Sequence, residues 1–521
     1  MQYKYTVLTN TTIGAFMSQL DGNIVLIALP TIVRQLPGTT ALDALWVLMG
    51  YILMTAVTLL TFGRLADMYG KVRLYNAGFA IFTIGSGLCS LAQSGSMLVG
   101  FRLVQGIGAA LIWSNNVAII TDAFPATERG QAIGINLVAG VSGSVIGLIL
   151  GGILTVSLGW QSIFWINLPI GAFATFWAHL KLRELGTFKH EKIDPAGNAL
   201  FGGGLSLFLV GLTLGALEGW TLIEVAAIVL GLAMLVGFGI VELRIPSPMM
   251  DLKLFKVRPF TAGIVSNFLA SIARGGTGLV LTFYFQGALL YDAFTAGVLL
   301  IPFAVAFVTV GPLSGYLSDR YGARGFTTAG MLVSAAAYFL FAVLPKDVAY
   351  GTLVIPMILA GAGGGMFVAP NMSSIMNATP VTRRGVASGM SATLVTTGVL
   401  LSLSITFAIM ATSIRLNTLQ AIFAGENVGS TSNVDLFVGP MRIIWLVMAA
   451  VSLASVIPSA LRGPKFAGVP ESGPSPSRRI YTCSGLNPTG PTTTISGSTP
   501  PSPSIVTVSE LIDIEGEVRN P

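Results

Sequence analysis

Charged residues are scarce in this 521-residue sequence, making up only 10% of it. A soluble domain carries about 25%, so the chain lacks the charge to cover a water-facing surface, and most of its exterior must face lipid. Cysteine and histidine are nearly absent. Cys89 falls in an apolar run and Cys483 near the C-terminal end, and the two histidines are His179 and His190. Such a set offers no disulfide framework and no metal cluster, so no metal and no cofactor is expected. No His-based dyad falls within an apolar run, which argues against an enzyme. No GxxxxGK[ST] loop is present, which argues against an ATP-driven pump. The triplet Gly363-Gly364-Gly365 sits in an apolar run and reads as packing or hinge material. A pI near 9.3 invites a nucleic-acid partner, but the basic residues are spread over short loops rather than gathered in a stripe, so none is expected.

What is abundant is apolar: 53% hydrophobic residues and 62 glycines, with a mean hydropathy of +0.78. Close-packed membrane helices need small residues where backbones approach. A helical span needs about 20 mostly apolar residues. Such runs occur fourteen times, the first at 11–33, the seventh and eighth at 195–217 and 222–243, and the last at 438–460. The first run carries Asp21 mid-way and no small-residue cleavage site, so it reads as a span rather than a secretory signal. Lys and Arg then fix an orientation. Twenty-two fall on the side of the two termini, four on the other (Arg34, Lys346, Arg415, Arg442), and Arg102 and Arg274 fall inside spans. Positive residues collect in cytoplasmic loops, so both termini are expected in the cytoplasm.

Two loop sequences recur. GRLADMYG at 63–70 matches GYLSDRYG at 315–322, an offset of 252, and PATERGQA at 125–132 matches PVTRRGVA at 380–387, an offset of 255. Two matches at nearly one offset indicate duplicated halves. The fold class that follows is all-α integral membrane, with fourteen transmembrane helices arranged as two pseudo-symmetric six-helix bundles and an inserted helix pair. Domain boundaries are expected at 1–190 for the N-terminal half, 191–250 for the insert and 251–462 for the C-terminal half. Residues 463–521, rich in Ser, Thr, Pro and Gly with an acidic end, read as a disordered cytoplasmic tail.

On these motifs the chain resembles the fourteen-helix drug:proton antiporter branch of the major facilitator superfamily, over about residues 11–460. Residues 63–73 resemble that superfamily's loop motif G-x-L-a-D-r-x-G-r-k, with Met68 in place of the usual Arg. LDGNIVLIALP at 20–30 is similar to the branch's first-helix signature, RLVQGIG at 102–108 to its fourth-helix motif, and WQSIFWINLPIG at 160–171 to the segment leading into the sixth helix. Gly143, Gly147, Gly151 and Gly152 resemble the antiporter packing motif ending G-P-x-x-G-G, but its proline is Leu148 here, so the proline kink is not expected.

Several residues stand out as candidates. Asp21 lies mid-span, where a charged group costs about 2.5–3.5 kcal/mol and marks a functional position by default. Burial there disfavours the charged form, which suits a group that gains and loses a proton. Arg102 either snorkels or works with Gln105 one turn away, and the resemblance implies a part in proton transfer. Arg274 is a cavity or substrate candidate. The repeat offsets map it onto 19–22, a window containing Asp21, so it either biases Asp21 or attracts an acidic group on a substrate. Gly63, Asp67, Gly70, Lys71, Arg73 and Asp122 form a gating cluster, with Asp122 placed to pair with Lys71 or Arg73. By resemblance this cluster latches the outward-closed state. Asn136, Asn267, Gln286, Asn371 and Asn377 read as interhelical hydrogen-bond partners, and Phe283, Tyr284 and Phe285 as possible cavity lining.

The function expected is secondary active transport, as proton-coupled efflux of amphipathic small molecules (drugs or toxic metabolites) by alternating access. The transporter is expected to be a monomer in the plasma membrane or, as the alternative, the vacuolar membrane. The partners are a small-molecule substrate, protons and the lipid bilayer. A transporter of a defined metabolite (an amino acid, siderophore or organic anion) and a non-transporting membrane sensor stay open.

Overall fold

The computed structural model describes residues 3–125, 128–185, 194–245, 248, 250–346, 348–380, 383–426 and 433–463. His190, Cys483 and the expected tail beyond Gly463 lie outside them. Among the described residues every element is helical.

The first half comprises α1 (Tyr3–Gln35), α2 (Ala41–Tyr69), α3 (Lys71–Ser90), α4 (Gly95–Ala123) and α5 (Arg129–Leu158). Its sixth pass is broken into α6 (Ser162–Trp165) and α7 (Asn167–Lys181). The inserted pair is α8 (Pro195–Glu218) and α9 (Leu222–Arg244). In the second half the first pass is α10 (Arg258–Gly275), α11 (Thr277–Phe283) and a π-helical turn at Tyr284–Ala288. There follow α12 (Ala293–Leu299) with α13 (Ile301–Tyr321), then α14 (Ala323–Val343), α15 (Tyr350–Asn377), α16 (Arg384–Ser413), the short α17 (Leu416–Ala424) and α18 (Asn433–Ala460). Fourteen passes result. Thirteen are long and apolar enough to cross a membrane. The fourteenth, α3, is 20 residues long but carries Lys71, Arg73 and Asn76 within its first two turns, which dilutes its hydropathy.

Short polar residues start these helices by accepting the free N–H groups of the first turn. Thr40 and Asp43 form a capping box on α2, with Thr40 Oγ1 accepting from Asp43 N at 3.1 Å and Asp43 Oδ2 from Thr40 N at 2.9 Å. Ser94, Asp194 and Asp292 cap α4, α8 and α12 in the same way.

The internal repeat is visible in the packing. Gly70 and Gly322, at equivalent loop positions, adopt φ of +111° and +90°, a region open to glycine without steric cost. Their N–H groups close matching bonds to Ala66 O (2.9 Å) and Ser318 O (2.8 Å). Gly78 meets the Gly108 carbonyl between α3 and α4, and Gly330 meets the Gly363 carbonyl between α14 and α15. The inserted α8 lies on the seam between halves, with Thr61 Oγ1 donating to Asn198 Oδ1 at 2.5 Å. Beside it α9 turns Leu222, Val229, Val236 and Leu243 outward, as a lipid-facing helix should.

The end of the bundle carrying Tyr3 and Gly463 is here the terminal side, and the opposite end the far side. On the far side the halves are sealed. Residues Ile27–Val33 of α1 are all buried, and Gln286 Nε2 donates to the Ile27 carbonyl at 2.9 Å. Phe283, Tyr284 and Phe285 lie buried in this seal, with Phe283 stacked on Phe423 at 3.9 Å. A Cβ on Gly152 of α5 would fall 2.5 Å from Phe294 Cα, and one on Gly297 would fall 2.5 Å from the Leu148 carbonyl. Two glycines thus let α5 and α12 touch. Gly152→Val is therefore expected to force the far side apart. In a background without Cys89 and Cys483, a cysteine placed at Leu26 should be modified several-fold faster by a membrane-impermeant maleimide in the Val variant. An unchanged rate would contradict this account of the seal.

Candidate functional site

Asp21 points not into the gap between halves but into the first bundle. Asp21, Arg102, Gln105 and Asn167 are all fully buried residues. Arg102 Nη1 donates to Asp21 Oδ2 at 2.6 Å and to Gln105 Oε1 at 2.6 Å. Gln105 Nε2 and Asn167 Nδ2 both donate to Asp21 Oδ1, at 2.9 and 2.8 Å. Arg102 Nε reaches the Val47 carbonyl at 3.0 Å, and its guanidinium lies 4.3 Å from the centre of the Tyr51 ring. Asn167 also donates to Ser86, which in turn donates to the Phe164 carbonyl. Helices α1, α2, α3, α4 and α7 thus converge on one carboxylate.

Local sequence explains this convergence. Arg102 and Gln105 are three apart on α4 and share a face. Gly85 and Gly108 let α3 and α4 approach closely, since a Cβ on either would fall within 3 Å of the other helix. The break after Trp165 starts α7 at Asn167, where its amide reaches into the cluster. Buried charges persist when paired and hydrogen-bonded, and three donors on two carboxylate oxygens meet that condition. The arrangement ties the Asp21 carboxylate directly to α4 and α7, and through Asn167 and Arg102 to α3 and α2.

The structure brings Asp21, Arg102 and Gln105 together. Arg102 does not snorkel, because it is fully enclosed. Sequence reasoning missed Asn167, Ser86 and Tyr51. The signal available was a polar Asn inside an apolar span, in the segment 160–171 already singled out. Arg274 lies elsewhere, in the second half, over the Phe307 ring at 5.6 Å. The ion-pair position at Asp21 is filled by Arg102.

The gating candidates gather on the terminal side, apart from Asp21. Lys71 Nζ bridges Asp122 at 2.9 Å and Asp67 at 3.8 Å. Arg73 N donates to Glu184 Oε1 at 3.0 Å, and the Glu184 carboxylate packs on Gly70. Gly63 has open space where a side chain would start. The glycines of α5 form a stripe, with Gly143, Gly147 and Gly151 meeting the carbonyls of Phe16, Leu20 and Ile24 on α1, while Gly152 faces α12. With Leu148 at the proline position, α5 runs unbroken. Asn267, Gln286 and Asn371 bond across helices to Ser391, Ile27 and Gly263. Asn377 bonds to Ser373 on its own helix, and Asn136 Nδ2 has no partner among the described residues. No group of three or more metal-binding side chains occurs among the described residues.

Comparison with known proteins identifies the family. The family model described as Major Facilitator Superfamily matches residues 11–403 and 264–475. A riboflavin transporter of Clostridioides difficile is 34% identical over 399 residues, covering 76% of this chain and 85% of that protein. A multidrug resistance protein of Mycobacterium tuberculosis, Stp, is 33% identical over 74% of this chain and 71% of its own. The tetracenomycin C resistance and export protein of Streptomyces glaucescens is 30% identical over 79% and 76%. Among solved structures, a bacterial homologue of the human lysosomal transporter Spinster, inward-facing and unoccupied, shares the fold. It superposes with a TM-score of 0.59 at 18% identity, covering 88% of this chain and 97% of that one. A multi-pass membrane protein of two six-helix bundles and an inserted pair, the chain belongs to the Major Facilitator Superfamily of transporters.

Proposed function

We propose that this transporter couples inward proton movement to the efflux of amphipathic small molecules, with Asp21 as the proton-carrying group and Arg102 as its counter-ion. The observation that carries the reading is the fully buried Asp21–Arg102 pair with Gln105 and Asn167 as further ligands of the carboxylate. Protonating Asp21 removes the negative charge that pairs with Arg102, which weakens the tie of α1 to α4. Since α1 also carries the far-side seal at Ile27, this change biases the opening of the halves. A proton crossing 100 mV supplies about 2.3 kcal/mol, before any pH gradient.

The excess of Lys and Arg on the terminal side supports a cytoplasmic location for both termini. The sealed far side is then the outside. A monomer in the plasma membrane is the simplest arrangement. Relatives named for drug resistance and export favour drug efflux. The riboflavin-transporting relative favours the second reading, a defined metabolite as cargo.

The test is purified protein in liposomes with an imposed pH gradient and a panel of anionic, neutral and cationic dyes. Gradient-dependent movement of at least one dye is expected. Movement unaffected by collapsing the gradient contradicts coupling. The salt-bridged loop acts as a gate in this reading, so Asp67→Ala should slow flux while leaving equilibrium binding of the transported dye intact. Loss of binding in step with flux would remove the gating role.

A further inference from the structure

Below the far-side seal Gly22, Leu26 and Arg274 are partly exposed, and the residues at that point are chemically unequal. Leu26 on α1 and Gly278 on α11 are 252 residues apart, the offset of the repeated loop, and they touch: a Cβ on Gly278 would lie 2.9 Å from Leu26 Cδ2. Equivalent positions that meet one another lie on the pseudo-twofold axis. One helical turn toward the terminal side come Gly22 and Arg274, again 252 apart. Gly22 and Arg274 therefore stand at equivalent positions beside the axis. This also settles the register of the repeat here. Arg274 is the counterpart of Gly22, and Asp21 corresponds to the buried Ala273. Asp21 and Gly22 diverge by about 100° around α1, as successive helical residues must, so one enters the bundle and the other faces the gap.

At Gly22 no other helix comes within 4 Å of where a side chain would begin. Across the gap Arg274 is partly exposed, unlike Arg102. It is the seventeenth residue of the 31-residue pass Arg258–Ala288, near mid-membrane. Its stem packs on Gly364 and its guanidinium lies over Phe307. The nearby Tyr338 hydroxyl is engaged with Thr277 Oγ1 at 3.2 Å. Among the described residues Arg274 makes no ion pair and no hydrogen bond. An arginine at this depth with no counter-ion is costly, and its five fixed donors match an oxyanion in geometry as well as charge.

We infer that Arg274 is the anchor for a carboxylate-type acidic group on the transported molecule, so that the cargo is an amphiphile bearing one negative charge, its apolar body lying in the gap bounded by Gly22 and Phe307. This rests on the transport reading above and narrows its substrate class. Phe307 holds the guanidinium from one face and leaves its edge free for the anion. Gly22, having no side chain, leaves room for the body of the cargo.

The test uses three probes of one shape, namely pyrenebutyrate, pyrenebutanol and pyrenebutyl-trimethylammonium. Each binds purified protein at equilibrium, with tryptophan-to-pyrene energy transfer as readout. Wild type should prefer the butyrate. Arg274→Gln should lower butyrate affinity by about tenfold or more, the size of a lost charge-assisted hydrogen bond, with the butanol unchanged. Arg274→Lys should keep part of the preference. Should the Gln variant not fold, Gly22→Asp places a carboxylate opposite the guanidinium and should abolish the preference instead. A wild type with no preference for butyrate, or a folded Gln or Gly22→Asp variant that retains it, overturns the inference. No gradient is present, so a failure of proton coupling would leave this result unchanged, and the reverse also holds.

Discussion

Asp21→Asn should fold, insert and bind cargo, yet lose all uphill transport. Asn keeps the shape of the side chain and one acceptor for Arg102, but it cannot carry the proton. In place of a carboxylate oxygen it also offers an amide that faces the Gln105 or Asn167 donors. In liposomes, gradient-driven accumulation should fall to the level of protein-free vesicles, while movement down the cargo's own gradient continues. Full gradient-driven accumulation by the Asn variant would remove Asp21 from the coupling step. The argument does not depend on cargo identity, since the carboxylate sits inside the first bundle, away from the gap between halves.

Arg102→Met should be the most destabilising change at the site. Among the described residues the guanidinium is the one positive charge paired with this enclosed carboxylate, and breaking a buried pair by removing one partner costs about 3–5 kcal/mol. Thermal unfolding in detergent should move markedly downward. The double variant Asp21→Leu with Arg102→Met leaves no charge unpaired, so it should recover most of the loss without recovering coupled transport. A double variant no more stable than Arg102→Met alone would mean that packing of the arginine stem, not the ion pair, holds α4 to α1.

Much of this was legible in the sequence because a bilayer imposes strong rules. Apolar runs of one length, basic residues on one side and two repeated loops gave fourteen passes, later seen as two bundles and an insert. The α3 pass shows where hydropathy weakens. It is a full-length helix whose first two turns carry Lys71, Arg73 and Asn76. Asp21, Arg102 and Gln105 were visible as polar residues in apolar runs, but their partnership was not. Which face of α1 Asp21 occupies depends on the contact made by Leu26 and the open space beside Gly22, and these are tertiary facts. The same contacts separate Arg274 from Asp21, although the repeat offsets left the two positions indistinguishable. Asn167 escaped because its reach depends on the break between α6 and α7, which apolar periodicity does not reveal.

The account stands or falls on whether Asp21 exchanges a proton against cargo. The direct measurement adds a transported dye to purified protein in weakly buffered detergent and follows a pH indicator. By linkage, a cargo that favours the ionised transporter must expel the proton that Asp21 holds. The account predicts release of about one proton per bound cargo under conditions where Asp21 is protonated beforehand, and none from Asp21→Asn. No release from the wild type across the accessible pH range, or equal release from the Asn variant, would contradict it.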